Sequence, residues 1–191
     1  FVHQYDMRIG GVARDGFKTE RQRVGLCWSS GVRNDGVWIA EYGRRKSMMF
    51  EALRPVFKQC RNYDFVSLQV GPEAAQCHDP VKHVLSEKPS WDDTAALVAN
   101  LDMVITVDTA VAHLAGAMGK PTWVLMQRDG ASWHWMCYRD GVAWNEASPW
   151  YPSARLFRQK EFNRPHHWAG VVGDIAAELT KLTQTEHARF Q

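Results

Sequence analysis

One face of a helix predicted near the middle of the chain carries small and polar residues. A solvated helix face usually carries lysine, glutamate or glutamine. At 3.6 residues per turn, this face presents Thr109, Ala112, His113 and Gly116, and Asp108 directly precedes it. The N–H groups at the start of a helix attract anions. The pattern predicts a phosphate-bearing ligand over Thr109 and His113, although an ordinary strand–helix crossover with a packed histidine fits it equally well.

A strand–helix–strand unit must position these residues. The sequence predicts a buried strand over Met103–Val107, a helix over Ala110–Met118 and a second strand over Thr122–Met126. Gly119 is expected to end the helix in a left-handed conformation, and Pro121 prevents its continuation. Such a unit places the start of the helix at the carboxyl end of a parallel strand, where open α/β sheets bind ligands.

The same helix has a second, apolar face. Thr109 is predicted to be its N-cap, because a threonine side chain can accept a bond from the first turn. The residues expected to face the core are Val111, Leu114, Ala115 and Met118.

Size and composition restrict the possible classes of protein. The 191 residues suit one core, and we expect residues 1–23 to be an entry segment or linker and residues 24–191 to form one Rossmann-like domain. A net charge of +2 gives no electrostatic case for nucleic acid. No apolar run is long enough to span a membrane. Four scattered cysteines without a CxxC motif are typical of reduced thiols in the cytoplasm.

Several catalytic motifs are absent from the sequence. No GxSxG, HExxH or strand-linked GxGxxG motif occurs, so a serine hydrolase, a zinc protease and a dinucleotide-binding domain are poorly supported. Residues 116–122 resemble a phosphate loop only superficially, because their glycines end a helix instead of opening one. No metal-ligand spacing is present, and we expect no metal and no cofactor.

Other polar groups are predicted at neighbouring strand ends. Ser29 and Ser30 end a strand that begins at Val24, and Gln69 ends a strand over 64–69. Their backbone and side-chain groups could face a phosphate or a nucleoside, although a loop-capping role suits Gln69 at least as well. Arg45 and Lys46 lie in a basic triplet that is most simply a solvated loop but could meet a diphosphate.

The remaining elements are predicted from hydrophobic periodicity. A helix capped by Ser47 is expected to bury Met49, Leu53, Val56 and Phe57, and a helix capped by Ser90 to bury Thr94, Leu97, Val98 and Leu101. A short strand is predicted over 81–85, a last strand over 154–159 and a last helix over 167–183. The aromatic-rich loop over 127–152 is expected to be mostly structural, with Trp150 as a candidate for stacking on a sugar or base.

The central motif, residues 104–122, resembles the donor-site signature of the heptosyltransferase-like glycosyltransferases. In that signature an Asp-Thr pair and a spaced His-Leu open the helix that holds a nucleotide-sugar diphosphate. The stretches 24–29, 45–47, 66–69 and 148–152 resemble one branch, the bacterial glycosyltransferase domains found after tetratricopeptide repeats. The resemblance covers about Val24 to Gln159.

This resemblance implies one half of a GT-B fold, namely the donor-binding half of an inverting, metal-independent glycosyltransferase. It implies catalytic roles for Asp108, His113 and Lys46, with Asp108 orienting the donor. The donor-binding residues that it implies are Ser29, Ser30, Arg45, Lys46, Gln69, Asp108, Thr109, Ala110, His113 and Trp150.

The resemblance also implies partners. They are a nucleotide sugar and an acceptor-binding domain or tetratricopeptide region of the same gene product, so we expect this chain alone to be inactive. The loop after Ser30 differs from that of true heptosyltransferases, which argues against ADP-heptose as donor. Two alternatives stay open: a non-catalytic nucleotide- or sugar-phosphate-binding module, and a GT-B-like nucleotide-sugar epimerase.

Overall fold

A parallel sheet of six strands forms the centre of the computed structural model, which describes residues 21–31, 36–128, 133–135, 137–139, 142–144, 146–161 and 167–189. The strands are β1 (Arg23–Cys27), β2 (Asp64–Ser67), β3 (Val81–His83), β4 (Met103–Val107), β5 (Thr122–Met126) and β8 (Ala154–Arg158). Their order across the sheet is β3-β2-β1-β4-β5-β8, and every pairing is parallel. This sheet confirms the predicted α/β fold.

Helices cover both faces of the sheet. They are α1 (Val37–Arg45), α2 (Arg54–Gln59), α3 (Trp91–Ala99), α4 (Ala110–Ala117) and α5 (Ala169–Arg189). On one face, α2 and α5 enclose a core that includes Leu26. On the other face, α3 and α4 enclose a core that includes Cys27. Neighbouring residues of β1 therefore point to opposite layers, as a strand buried on both faces requires. No helix in these ranges is long and apolar enough to cross a membrane.

Close packing restricts β1 to a glycine at its centre. A Cβ atom on Gly25 would lie 2.5 Å from Leu101 Cδ1 and 2.7 Å from Leu68 Cδ1. Both leucines are buried, so neither has free space into which to move. The segment that follows α3 can therefore approach the middle of the sheet.

Several local predictions are confirmed. Ser90 and Asp93 form the capping box that begins α3, with Ser90 Oγ accepting from Asp93 N at 3.0 Å. Gly119 follows α4 with a φ of 66°, the left-handed conformation predicted for it. The four residues expected to face inward from α3 and its end are all buried: Thr94, Leu97, Val98 and Leu101.

The prediction for the segment after β1 is wrong. The basic triplet is predicted in a loop, but Arg44 and Arg45 lie in the last turn of α1. Ser47 caps no helix; its hydroxyl donates to Gly43 O at 2.7 Å and accepts from Ser30 N at 3.0 Å. Met49 is 65% exposed, and a 3₁₀ turn over Phe50–Leu53 leads into α2. The sequence does not reveal α1 because Gly36 precedes it without a side-chain cap and no acidic residue lies in its first turn.

The prediction for the faces of α4 needs correction. Val111 and Ala115 are buried as expected, but Met118 is 40% exposed. Ala112 and Gly116, on the face expected to be open, are buried. A Cβ atom on Gly116 would lie 2.6 Å from Tyr151 Cγ, so the group that approaches this face is a tyrosine of the same chain.

The aromatic-rich loop contains secondary structure that the sequence does not indicate. Strands β6 (Cys137–Arg139) and β7 (Val142–Trp144) pair in antiparallel fashion. Of the loop's indoles, Trp135 is fully buried, whereas Trp133 is 64% and Trp150 58% exposed. Residues 1–20 of the predicted entry segment lie outside the described residues, and that prediction stays untested.

Candidate functional site

The candidate site lies where the chain order of the sheet reverses direction. Strands β1 and β4 are neighbours, and Cys27 pairs with Thr106 in their register. The residues after both strands therefore meet at the same edge of the sheet. Ligands of open α/β sheets bind at such a switch point, beyond the carboxyl ends of the strands.

Asp108 is a buried carboxylate at this edge of the sheet. Its side chain is only 7% exposed. One carboxylate oxygen, Oδ1, accepts a hydrogen bond from Trp135 Nε1 at 2.7 Å. The other, Oδ2, lies 3.6 Å from Lys46 Nζ. A buried carboxylate needs such partners, because an unpaired charge away from water is strongly destabilising.

Lys46 reaches this carboxylate from the end of α1. Its side chain is only 18% exposed, and its ammonium group lies 5.0 Å from the ring centroid of Tyr42. Burial and the negative charge of Asp108 raise the pKa of Tyr42 to about 12, so the phenol stays neutral. Lys46 is thus the positive group of a largely buried ion pair at the edge of the sheet.

The start of α4 lies directly after Asp108 in the chain. Thr109 has the extended conformation of an N-cap residue, with φ −139° and ψ 170°, but its side chain makes no capping bond. Its hydroxyl is instead bonded to Thr106 Oγ1 at 3.0 Å. Thr109 is therefore the N-cap residue as predicted, but without the predicted side-chain bond. Thr109 is half-buried and Ala110 is exposed. Among the described residues, no side chain accepts a hydrogen bond from the N–H groups of the first turn, which begins beside the exposed Ala110.

His113 lies one turn further along α4. Tyr151 Oη is 3.1 Å from its Nδ1, and the indole of Trp135 stacks on its ring with centroids 4.8 Å apart. His134 lies edge-on at 5.0 Å. Burial lowers the pKa of His113, and His134 and Lys46 lower it further, whereas Asp108 raises it. The imidazole is accordingly neutral at neutral pH.

The structure gives the polar groups after β1 internal partners. Gln69 Oε1 accepts from Ser29 N at 2.8 Å and from Trp28 N at 3.1 Å. Gln69 Nε2 donates to the carbonyl groups of Ser29 and Val70, both at 3.1 Å. Ser30 N is bonded to Ser47 Oγ at 3.0 Å, so the polar groups of this strand end bond to the chain itself, and donor binding by Ser29 and Ser30 stays a prediction.

The structure brings five of the predicted site residues together, and the others lie apart from them. Lys46, Asp108, Thr109, Ala110 and His113 come together at the start of α4. Gln69 is 2% exposed and joins the ends of β1 and β2. Trp150 lies at the surface and contacts Trp133 edge-on, with ring centroids 5.9 Å apart. Arg45 is half-buried, and its Nε has no hydrogen-bond partner among the described residues.

Sequence reasoning misses two residues, Trp135 and Tyr151, that contact Asp108 or His113. Trp135 touches both Asp108 and His113, yet it is one of several indoles in an irregular segment. Tyr151 is, in the sequence, only one member of an aromatic stretch. The signal that points toward it is Gly116, because a glycine on the polar face of a helix indicates close approach by another group.

Acidification should destabilise the domain through His113. Its pKa is lower when folded than the 6.5 of an ordinary histidine, so the unfolded chain binds more protons in the interval between the two values. The free energy of unfolding should therefore fall as the pH drops below about 6.5. Urea denaturation at pH 7.5 and pH 5.5 should show a smaller fall for His113→Asn than for the wild type. An equal fall in both proteins would contradict this role.

In part of its sequence and in its fold, this α/β domain is similar to heptosyltransferases. Residues 73–126, from the segment before β3 to the end of β5, match the model of glycosyltransferase family 9 (heptosyltransferase). The domain also resembles the structure of E. coli ADP-heptose lps heptosyltransferase II, with a TM-score of 0.54 and 18% identity. That match covers 91% of this chain and 50% of the other, and at this identity it concerns the fold alone.

A curated protein is more similar in sequence. Protein FlbA of Caulobacter vibrioides is 32% identical over 170 residues. The alignment covers 82% of this chain but only 25% of FlbA, so the chain spans about a quarter of that relative's length. The resemblance to the heptosyltransferase-like glycosyltransferases is confirmed by the family match and the shared fold.

Proposed function

We propose that this domain binds the diphosphate of a nucleotide sugar at the start of α4 and forms the donor half of a glycosyltransferase. The observation that carries the proposal is the Lys46–Asp108 pair, with Nζ and Oδ2 3.6 Å apart, beside an uncapped helix start. A cation and unpaired N–H groups favour an anion at one place, and the switch point of the sheet is where such ligands bind.

The open part of the site determines where the ligand lies. Trp135 and Tyr151 cover the ring of His113, whereas Ala110 is exposed and Thr109 half-buried. We therefore place the diphosphate over Thr109 and Ala110, within reach of Lys46. The imidazole of His113 lies at its flank, one turn further along the helix.

The proposed chemistry is inverting transfer without a metal ion. As the sugar leaves, negative charge develops on the nucleoside diphosphate. The ammonium group of Lys46 and the N–H groups of α4 would stabilise that charge, as a metal ion does in other transferases. Asp108 orients Lys46 and does not abstract a proton in this proposal, because both of its oxygens are occupied.

Partners and location complete the proposal. A second domain would bind the acceptor and supply the general base, so the 191-residue chain should bind donor without transferring sugar. Cys27, Cys60 and Cys77 are free thiols, which supports a cytoplasmic location.

The first test is binding of nucleoside diphosphates to the chain. Titration calorimetry with ADP, UDP, GDP and CDP should detect binding of at least one. Lys46→Met should weaken that binding about tenfold or more, since a charge-assisted hydrogen bond contributes about 1.5–3 kcal/mol.

Lys58→Met is the matched control. Lys58 is an exposed lysine of α2 that lines a different cavity, near the start of β2. Its replacement should leave the affinity unchanged. Failure of all four nucleotides to bind, or equal affinity of Lys46→Met and the wild type, would refute the proposed donor site.

A further inference from the structure

Two side chains outside the central motif hold the Asp108 and His113 side chains in place. Trp135 contacts Asp108 through its indole N–H and His113 through the face of its ring. Tyr151 contacts the same imidazole at Nδ1, on the edge of the ring. Both residues follow β5 and lie beyond residues 73–126, the part of the chain that matches the family model.

Trp135 is fixed at both its side chain and its backbone. The residue is fully buried, so its indole N–H requires an acceptor, which Asp108 Oδ1 provides at 2.7 Å. Its carbonyl oxygen accepts a hydrogen bond from Arg158 Nη2, on the last residue of β8. The sheet therefore holds Trp135, and Trp135 holds one carboxylate oxygen of Asp108. The other oxygen is left for Lys46.

Tyr151 is fixed by hydrogen bonds of its backbone and by the packing of its ring against Gly116, which has no side chain. Its N–H donates to Ser148 Oγ at 3.3 Å, and its carbonyl accepts from Ala154 N at 2.9 Å. Its ring rests directly on Gly116, where even a methyl group would collide with it. In this position, the phenol oxygen lies 3.1 Å from His113 Nδ1.

We propose that Trp135 and Tyr151 are positioning residues of the donor site. Trp135 orients the Asp108 carboxylate toward Lys46, and Tyr151 keeps the His113 proton on Nε2. The inference rests on the proposed function, in which Lys46 and His113 face a diphosphate.

The proposed tautomer depends on which group donates in the hydrogen bond between Tyr151 Oη and His113 Nδ1. A neutral imidazole has one nitrogen that donates and one that accepts, and the bond made by one nitrogen decides the role of the other. In the proposed arrangement the Tyr151 hydroxyl is the donor and Nδ1 the acceptor, and the proton of His113 then lies on Nε2. No described residue bonds Nε2, which can therefore donate to a phosphate oxygen of the ligand.

The tautomer can be tested without a ligand. Long-range ¹H–¹⁵N spectra of the histidine rings at pH 7.5 should show His113 with an unprotonated Nδ1 and a protonated Nε2. The His113→Asn spectrum assigns the signals. In Tyr151→Phe, which keeps the ring but removes the hydroxyl, both tautomers should be populated.

Tyr63→Phe is the control for this experiment. It removes a hydroxyl that is bonded to Leu179 O at 3.0 Å, in the core under α5. The His113 signals should then be unchanged. A wild-type proton on Nδ1, or the same tautomer in Tyr151→Phe as in the wild type, would overturn the assignment for Tyr151.

The role of Trp135 can be tested by a double-mutant cycle on nucleotide affinity. Trp135→Phe keeps an aromatic ring against His113 but removes the N–H donor. With whichever of the four diphosphates binds best, it should weaken affinity about tenfold in the wild-type background, the size expected of one charge-assisted bond. In an Asp108→Ala background it should change affinity by less than about twofold, because its effect passes through Asp108.

The control for this cycle is Trp123→Phe, a buried indole packed against Phe157. It should not change affinity in either background. Equal tenfold losses from Trp135→Phe in both backgrounds would show that the indole acts by packing alone and would overturn the inference. If Trp135→Phe has a melting temperature far below that of the wild type, Trp135→His keeps a ring N–H and should recover part of the affinity.

Failure of the proposed function would be distinguishable from failure of this inference. If the wild type binds none of the four diphosphates, the proposed function fails. The spectra still decide the assignment for Tyr151. The indole N–H signal of Trp135 should shift more in Asp108→Asn than in Glu178→Gln, and no shift would overturn the assignment for Trp135.

Discussion

Replacement of Asp108 by alanine is expected to lower the free energy of unfolding by about 3 kcal/mol. The change leaves the indole N–H of Trp135 buried without its acceptor, at a cost of about 1–3 kcal/mol. It also leaves Lys46, whose side chain is only 18% exposed, without its counter-ion. Urea denaturation followed by circular dichroism measures this loss.

The same change should weaken nucleoside diphosphate binding about a hundredfold, because two positioned contacts are lost together. Asp108→Asn is the matched variant, since its amide oxygen can still accept from Trp135. We expect it to lose only about 1 kcal/mol of stability, because one hydrogen bond is kept. If Asp108→Ala is within about 0.5 kcal/mol of the wild type, as surface substitutions are, then the pair contributes nothing to the fold.

Replacement of Gly116 by valine should produce the second large effect, a loss of about 3 kcal/mol. A Cβ atom at this position would lie 2.6 Å from Cγ and 3.0 Å from Cβ of Tyr151. The clash is with the base of that side chain, so a rotamer change cannot relieve it and the loop must move. The movement should also separate Tyr151 from His113, and nucleotide affinity should fall with stability.

Gly173→Val is the control for this prediction. Gly173 lies in α5, is exposed, and has no atom within 4 Å of the place that a Cβ atom would take. The same change of residue in this helix should alter stability by less than about 0.5 kcal/mol. Gly116→Val combined with Tyr151→Ala should recover part of the lost stability, because the smaller side chain makes room. Equal losses at both glycines would show that the contact with Tyr151 does not set the cost.

The sequence predicts the central unit well because its signals are local. The β-branched run of β4, the left-handed Gly119 and the Ser90 capping box each depend on neighbours within a few residues. The parallel sheet follows from these units because strands joined by helices pair in parallel. Fold class can therefore be predicted from pattern alone.

The candidate site is predicted less completely because its side chains are far apart in sequence. The pattern points to both Asp108 and Lys46, yet Trp135, which binds the carboxylate, is 27 residues from Asp108. Gln69 is a candidate for a nucleoside pocket in the sequence, but residues after β1 use both ends of its amide. A glutamine that bonds to the backbone and a glutamine that bonds to a ligand have the same sequence pattern. Only the three-dimensional positions of the neighbouring backbone groups distinguish the two roles.

The helix over Val37–Arg45 shows a third limit of sequence reasoning. It begins after Gly36 without a side-chain cap and has no acidic residue in its first turn, so none of the usual start signals is present. Its last turn nevertheless holds Arg44 and Arg45 and delivers Lys46 to Asp108.

The hydrogen bonds of Gln69 have a consequence for how a ligand is received. Three bonds from this side chain to Trp28 and Ser29 extend the pairing of β1 and β2 beyond their last ladder residues. The segment after β1 is thus rigid before any ligand arrives, and an incoming molecule loses little affinity to the ordering of loose chain there. Adaptation to different ligands is left to exposed side chains such as the indoles of Trp133 and Trp150.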